Sequence, residues 1–154
     1  MRRESASASQ SLATSSTPQR AALIGLGAEP YDPLELSLEE LARLAQTAGA
    51  FPVLRILQER SRPHPATFLG RGKVEELGKA CEEHKINVVI ADSELSPVQR
   101  RNLEDIVQCG VIDRTQLILD IFARRARSRE GKLQVELAQL RYLLPRLVGF
   151  GLAL

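Results

Sequence analysis

Two groups of residues in this 154-residue chain have the types and spacing to do chemistry, and both point to phosphate. The first is Gly70, Arg71, Gly72 and Lys73. A phosphate loop of the form G-x-x-x-x-G-K-[ST] uses glycine for close backbone approach and Ser or Thr to hold Mg²⁺. Here Thr67 stands where the first glycine would be, and Val74 follows the lysine, so the pattern is not that loop. Glycine-flanked amides at a helix N-terminus, beside two cations, still suit an anion such as a nucleotide phosphate or an RNA backbone. They equally suit a tight turn that opens a helix, a use of glycine that is steric alone. The second group is Arg124, Arg125, Arg127, Arg129 and Lys132. From Arg124 to Arg146 seven cations face two anions, Glu130 and Glu136, a net of +5. From Ala21 to Asp120 eleven cations face sixteen anions, a net of −5. The total of +2 hides an acidic body carrying a basic arm. Arg125, Arg129 and Lys132 recur at i, i+4 and i+7, one face of a helix, where like charges repel. The plain alternative is a solvated face paired with Glu130 and Glu136, but that pairing leaves most of the cations unmatched, and the pattern predicts a phosphate partner that offsets the repulsion.

Other reactive residues form no complete set. Asp92, Ser93 and Glu94 follow a predicted central strand, where α/β sheets place ligand sites, but no His or Cys joins them. No catalytic residue is assigned. Cys81 and Cys109 fall near predicted helix ends and make no CxxC pair, and with His64 and His84 they give no metal-ligand spacing. They read as two reduced thiols. His64, between two prolines, reads as an exposed loop residue, and His84 as the end of a helix.

Composition bounds the rest. A hydrophobic fraction of 44% supports a core, and with no Trp and 4% aromatics that core is aliphatic. The same scarcity argues against reading nucleic acid by aromatic stacking. No apolar run approaches the ~20 residues that span a bilayer. Residues 1–19 are Ser/Ala-rich without an apolar h-region, so they read as a disordered tail and not as a secretory signal. An organellar transit peptide is the lesser alternative, because Glu4 is present and large apolar residues are few.

The elements that must position these groups alternate. Residues 20–27 read as a buried strand, and 29–33 as a loop. Ser37 and Glu40 form a capping box for a helix that Gly49 closes. Residues 51–58 form a strand with Pro52 near its start, and 74–84 a helix. The apolar run 86–91 is a central parallel strand. Ser96, Pro97 and Gln99 cap a helix ending by Gly110. A short strand at 111–112 follows, and Asp113 with Gln116 starts the last helix. Alternating strands and helices predict an α/β domain over 20–113, a parallel sheet of about four strands flanked by helices. Residues 114–154 read as a long basic helical arm. Leu117, Ile118, Ile121 and Phe122 form a stripe suited to packing on the body, and Pro145 is expected to end or kink the helix near Leu144. Leu133, Leu137, Leu140, Leu144 and Leu147 step by 4, 3, 4 and 3, a seam that wants a partner helix. No second seam exists in the chain, so the partner is another copy or residues absent from it.

Three ordered motifs carry a resemblance. Thr67-Phe-Leu-Gly-Arg-Gly-Lys-Val-Glu-Glu-Leu77 is the first, and Val88-Val-Ile-Ala-Asp-Ser-Glu-Leu-Ser-Pro-Val-Gln-Arg-Arg-Asn-Leu103 the second. The third is Asp113-Arg-Thr-Gln-Leu-Ile-Leu-Asp-Ile-Phe122, continued by Glu130-Gly-Lys-Leu-Gln-Val-Glu-Leu-Ala-Gln-Leu140. Over about 20–150 the chain resembles the N-terminal region of HflX-type GTPases. The resemblance implies a small α/β domain, two long antiparallel helices, and then a P-loop GTPase domain that binds GTP and Mg²⁺. It also implies a cytoplasmic partner, the large ribosomal subunit, and it favours rRNA as the ligand of the basic arm. The chain departs from the family by stopping at Phe150-Gly-Leu-Ala-Leu154, before the second helix and the GTPase domain, which marks it as a fragment. The expected function is ribosome binding without GTPase activity of its own and with no cofactor in this chain. The alternatives are a nucleotide-binding domain with weak NTPase activity through 70–73, or self-association through the leucine seam.

Overall fold

The computed structural model describes residues 19–27 and 34–148. The expected tail at 1–19, apart from Gln19, which opens the first strand, lies outside the described residues, as do the 29–33 loop, the final residues 149–154 and the side chain of Leu147. The chain runs β1 (Gln19–Gly27), α1 (Leu34–Thr47), β2 (Ala50–Glu59), α2 (Arg71–Glu83), β3 (Val88–Ala91), α3 (Pro97–Val107), β4 (Gly110–Asp113), α4 (Arg114–Arg125) and α5 (Arg129–Val148). The four strands form one parallel sheet in the order β2-β1-β3-β4.

Helices cover both faces, so β1 and β3 read as unbroken apolar runs. One face packs Ala22, Ile24, Val89 and Ala91 against α2 and α3 through Leu77, Leu103 and Val107. The other packs Ala21, Leu23, Val88 and Ile90 against α1 and α4 through Leu38, Leu41, Leu117 and Ile121. Pro52 lies on the edge strand β2 beside a bulge: Ala21 pairs with Pro52 and Ala22 with Leu54, which leaves Val53 as the extra residue.

Several boundaries differ from the sequence reading. The helix assigned to a Ser37–Glu40 box begins a turn earlier, at Leu34, and the Ser37 hydroxyl bonds a distant acid instead of its own helix end. Gly49 does end the α1 turn, with φ +88. Helix α2 starts at Arg71 rather than Val74 because Gly70 is already extended at the N-cap, φ −64 and ψ 160. Helix α3 ends at Gln108, left-handed at φ 56, so Gly110 is free to begin β4. The Ser96 box is formed in full, with Ser96 Oγ accepting from the Gln99 amide at 3.1 Å and Gln99 Oε1 from the Ser96 amide at 2.8 Å.

The main correction is to the arm over 114–154. It is two helices, because the chain leaves helical geometry at Ala126, with φ −68 and ψ 121. Helix α4 belongs to the body: Leu117 and Ile121 are buried there, while Phe122 is left 54% exposed. Helix α5 continues through Pro145 to Val148, so that proline does not stop it near Leu144. Proline removes one helical donor, and here the loss falls in the helix's final turns.

Candidate functional site

The corner between α4 and α5 gathers the basic group. Asp113 caps α4, its Oδ1 accepting from the Gln116 amide at 3.1 Å. Past residues 126–128 a second cap opens α5: Ser128 Oγ accepts from the Gly131 amide at 3.0 Å, and Ser128 O from the Lys132 amide at 3.0 Å. A Cβ at Gly131 would stand 3.0 Å from that hydroxyl, so glycine leaves room for the cap. Helix α5 then runs back along α4. Gln139 Nε2 donates to Asp120 Oδ1 at 3.3 Å, and the Tyr142 hydroxyl donates to Asp113 Oδ2.

This turn places Arg124 and Arg125 in the last turn of α4, Arg127 in the connection, and Arg129 and Lys132 at the start of α5, all exposed. They do not line one helix face as the i, i+4, i+7 spacing predicts, since the break falls among them. Arg124 reaches α1, its guanidinium 2.9 Å from where a Cβ of Gly49 would stand. Helix carbonyl ends carry partial negative charge, which suits a cation there. Among the described residues, no ion pair engages Arg125, Arg127, Arg129 or Lys132, so Glu130 and Glu136 do not neutralise them. Phe122 stands exposed one turn before Arg125.

The turn at 70–73 is more occupied. The Gly70 amide donates to Gln58 Oε1 at 2.8 Å, and a Cβ at Gly70 would meet Arg60 Nη1 and Gln58 Nε2, each at 2.9 Å. Lys73 Nζ lies 3.2 Å from Glu76. Arg71 and Gly72 are exposed on the first turn of α2.

A third arrangement sits at the carboxyl edge of the sheet, where the strand order reverses between β1 and β3. Asp92 Oδ2 accepts from Ser37 Oγ at 2.6 Å and Asp92 Oδ1 from Arg114 Nη1 at 2.9 Å, while Arg114 Nη2 meets Glu40 at 2.8 Å. Buried Asp113 accepts from the amides of Gln116 and Leu95 and from Tyr142. These acids tie α1, β3, α4 and α5 together. His64 is no loose loop residue. It pairs with Phe68 through both backbone groups, and its carbonyl accepts from Gln99 Nε2 at 2.9 Å. Among the described residues no cluster of three His, Cys, Asp or Glu side chains could hold a metal.

The comparisons bear on the whole arrangement. A family model described as GTP-binding GTPase N-terminal matches residues 35–123, and one described as GTP-binding GTPase middle region matches 125–154. The chain is 49% identical over 131 residues to a protein named GTPase HflX from Lacrimispora saccharolytica, covering 85% of this chain and 31% of that protein. A GTPase HflX of Alkalihalophilus pseudofirmus is 57% identical over 122 residues, 78% of this chain and 28% of its own length. The chain belongs to the HflX-type GTPase family. It spans about 30% of the length of these HflX relatives. A GTP-binding protein of the archaeon Sulfolobus solfataricus, solved in complex with GDP, superposes with a TM-score of 0.66 at 25% identity, covering 86% of this chain and 39% of that one. In HflX terms, the N-terminal and middle regions divide at residues 123–125, where α4 ends and the basic corner begins.

Sequence reasoning missed two features of this HflX region. Ser128, three residues before Gly131, is a legible cap signal, but helix-forming residues on both sides obscured it. The Ser37–Asp92–Arg114–Glu40 staple joins residues far apart in the chain and leaves no local signature.

Proposed function

We propose that this chain is the ribosome-contacting N-terminal part of an HflX-type GTPase, and that its basic corner lies against large-subunit rRNA. The observation that carries the reading is the convergence of Arg125, Arg127, Arg129 and Lys132 on one exposed corner without internal ion pairs. A duplex RNA presents phosphates and 2′-hydroxyls to such a surface, and binding is read through backbone and shape. The reading places the protein in the cytoplasm with its ribosomes. No described helix is long and apolar enough to cross a membrane.

The reading places no GTP or Mg²⁺ site in this chain. No G-x-x-x-x-G-K-[ST] motif occurs, and the Gly70 amide and Lys73 already have partners. The reading therefore assigns hydrolysis to sequence outside these 154 residues and none to the chain alone. Nucleotide binding at 70–73 has less support for the same reason. Leu133, Leu137, Leu140 and Leu144 are exposed on α5, a seam suited to the second helix expected of the family, or to a second copy of the chain.

The test is co-sedimentation with purified large subunits across a salt series, beside a variant carrying Arg125→Ser, Arg127→Ser and Arg129→Ser. Salt-sensitive binding that the variant loses supports the reading. Equal binding by both, or none at low salt by a folded chain, overturns it.

A further inference from the structure

Ser128 stands in the exposed break between α4 and α5, among the cations of the basic corner. Arg124 and Arg125 lie four and three residues before it, and Arg127 and Arg129 flank it. Serine preceded by arginine in this way is the charge pattern that a protein kinase with an acidic substrate groove selects. The local backbone suits such a groove. Ala126 is extended at φ −68 and ψ 121, residues 126–128 belong to no helix, and Arg127, Ser128 and Arg129 are exposed. The last turn of a helix opens at lower free energy than the whole fold, so Arg124 and Arg125 can be released without unfolding the body.

The same position is suited to hold a phosphate once it is attached. Ser128 Oγ already accepts from the Gly131 amide at 3.0 Å, at the helix end where the dipole favours negative charge. Gly131 carries no side chain to crowd that oxygen. Arg125, Arg127, Arg129 and Lys132 lie within four residues of it, and the acid in the first turn of α5 is Glu130 alone. Among the described residues no ion pair engages those four cations.

We propose that Ser128 is a phosphorylation site, and that its phosphate switches the corner off by taking up the cations that otherwise meet RNA. The Ser128 hydroxyl attacks the γ-phosphorus of ATP, held by the kinase. The new O–P bond forms as the bond to the bridging oxygen breaks, ADP leaves, and the hydroxyl proton passes to the kinase's carboxylate base. Phosphoserine carries about −1.5 to −2 charges at neutral pH, so the net charge of Arg124–Arg146 falls from +5 to about +3. The effect on RNA rests on the rRNA reading above; the modification and the internal pairing do not.

The experiment uses the full chain with Ser5→Ala in every sample, because Arg2 and Arg3 give Ser5 a similar pattern. The folded protein is treated with ATP, Mg²⁺ and a purified arginine-directed serine kinase, then weighed intact and peptide-mapped. One phosphoryl group on Ser128 is expected, and none at that position in Ser128→Ala. Hydrogen exchange at the Gly131 and Lys132 amides should slow. The phosphorylated form should leave heparin at lower salt, and its salt slope on large ribosomal subunits should fall by about 1–2. Ser128→Ala, which keeps the cations, should keep the heparin retention of the parent. Phosphorylation only at other positions, or only in denaturant, overturns the site. Phosphorylation of Ser128 with unchanged heparin retention overturns the switch. Lower heparin retention, with large subunits binding neither form, upholds the switch and overturns the rRNA reading instead.

Discussion

Arg114 and Asp92 meet at 2.9 Å across the carboxyl edge of the sheet, and the same carboxylate accepts from Ser37 at 2.6 Å. The Asp92 side chain is 10% exposed, so removing its cation leaves a largely covered charge with one hydroxyl donor. Loss of one partner of a fully buried pair costs about 3–5 kcal/mol, and exposed pairs about 0–1. Arg114 is 26% exposed, so Arg114→Ala should lie between, at about 1–3 kcal/mol. Urea unfolding with an unchanged slope checks this. A midpoint equal to that of the parent chain would mean that water replaces the guanidinium without loss.

Ser128 caps α5 without touching the core, so its effect should be local. Ser128→Ala should cost about 1 kcal/mol of helix stability. Hydrogen exchange should quicken at the amides of Gly131 and its neighbours while β1 and β3 keep their protection. Faster exchange throughout the sheet would show that α5 and the body unfold as one unit.

Glu104 gives a pH signature. Burial raises its carboxyl above the ordinary range, opposed by Arg100 at 3.3 Å and by the Val111 amide. The folded state therefore binds this proton more tightly than the unfolded chain. Stability from this group is present below the ordinary carboxylate pKa and is lost as pH rises through the raised folded value. Glu104→Gln should remove that fall and flatten the stability profile over this window. A profile still falling by the same amount in the variant would assign the effect to another group.

The basic corner should separate its cations by role. Each of Arg125, Arg127 and Arg129, changed singly to Ser, should lower the salt slope of RNA binding by about 1. Arg124→Ser should also loosen the turn at Gly49, which its guanidinium covers. Its signature is a lower melting temperature together with weaker binding. A uniform loss of affinity with no change in slope would point away from phosphate contacts.

Local chemistry was legible in the sequence where it was self-contained. The Ser96 box and the Asp113 cap need only residues three apart, and each forms as read. The apolar run before Asp92 named an interior strand because both its faces are covered. Ser37 failed as a cap because the helix already begins at Leu34, which puts Ser37 inside it, and its hydroxyl donates to the tertiary acceptor Asp92. The arm failed as one helix because the chain leaves helical geometry at Ala126 and Ser128 caps a new helix, a break that periodicity does not record. Of the candidate site, the identities of the five cations were visible, but their gathering at a corner was not. That depends on α5 folding back to Asp120 and Asp113, contacts that join residues up to 29 apart.

The strand order also sets a timetable for synthesis. Strand β1 leaves the peptidyl channel first, yet one of its edges is completed only by β3, whose pairing begins at Val88. At about 5–20 residues per second, the interval from β2 to β3 lasts on the order of seconds. Through that interval an apolar strand built from Ala21, Ala22, Leu23 and Ile24 waits with half its hydrogen-bonding groups unmatched. Through it the nascent chain stays exposed to pairing with a wrong neighbour, and the closing of β3 onto β1 ends that hazard.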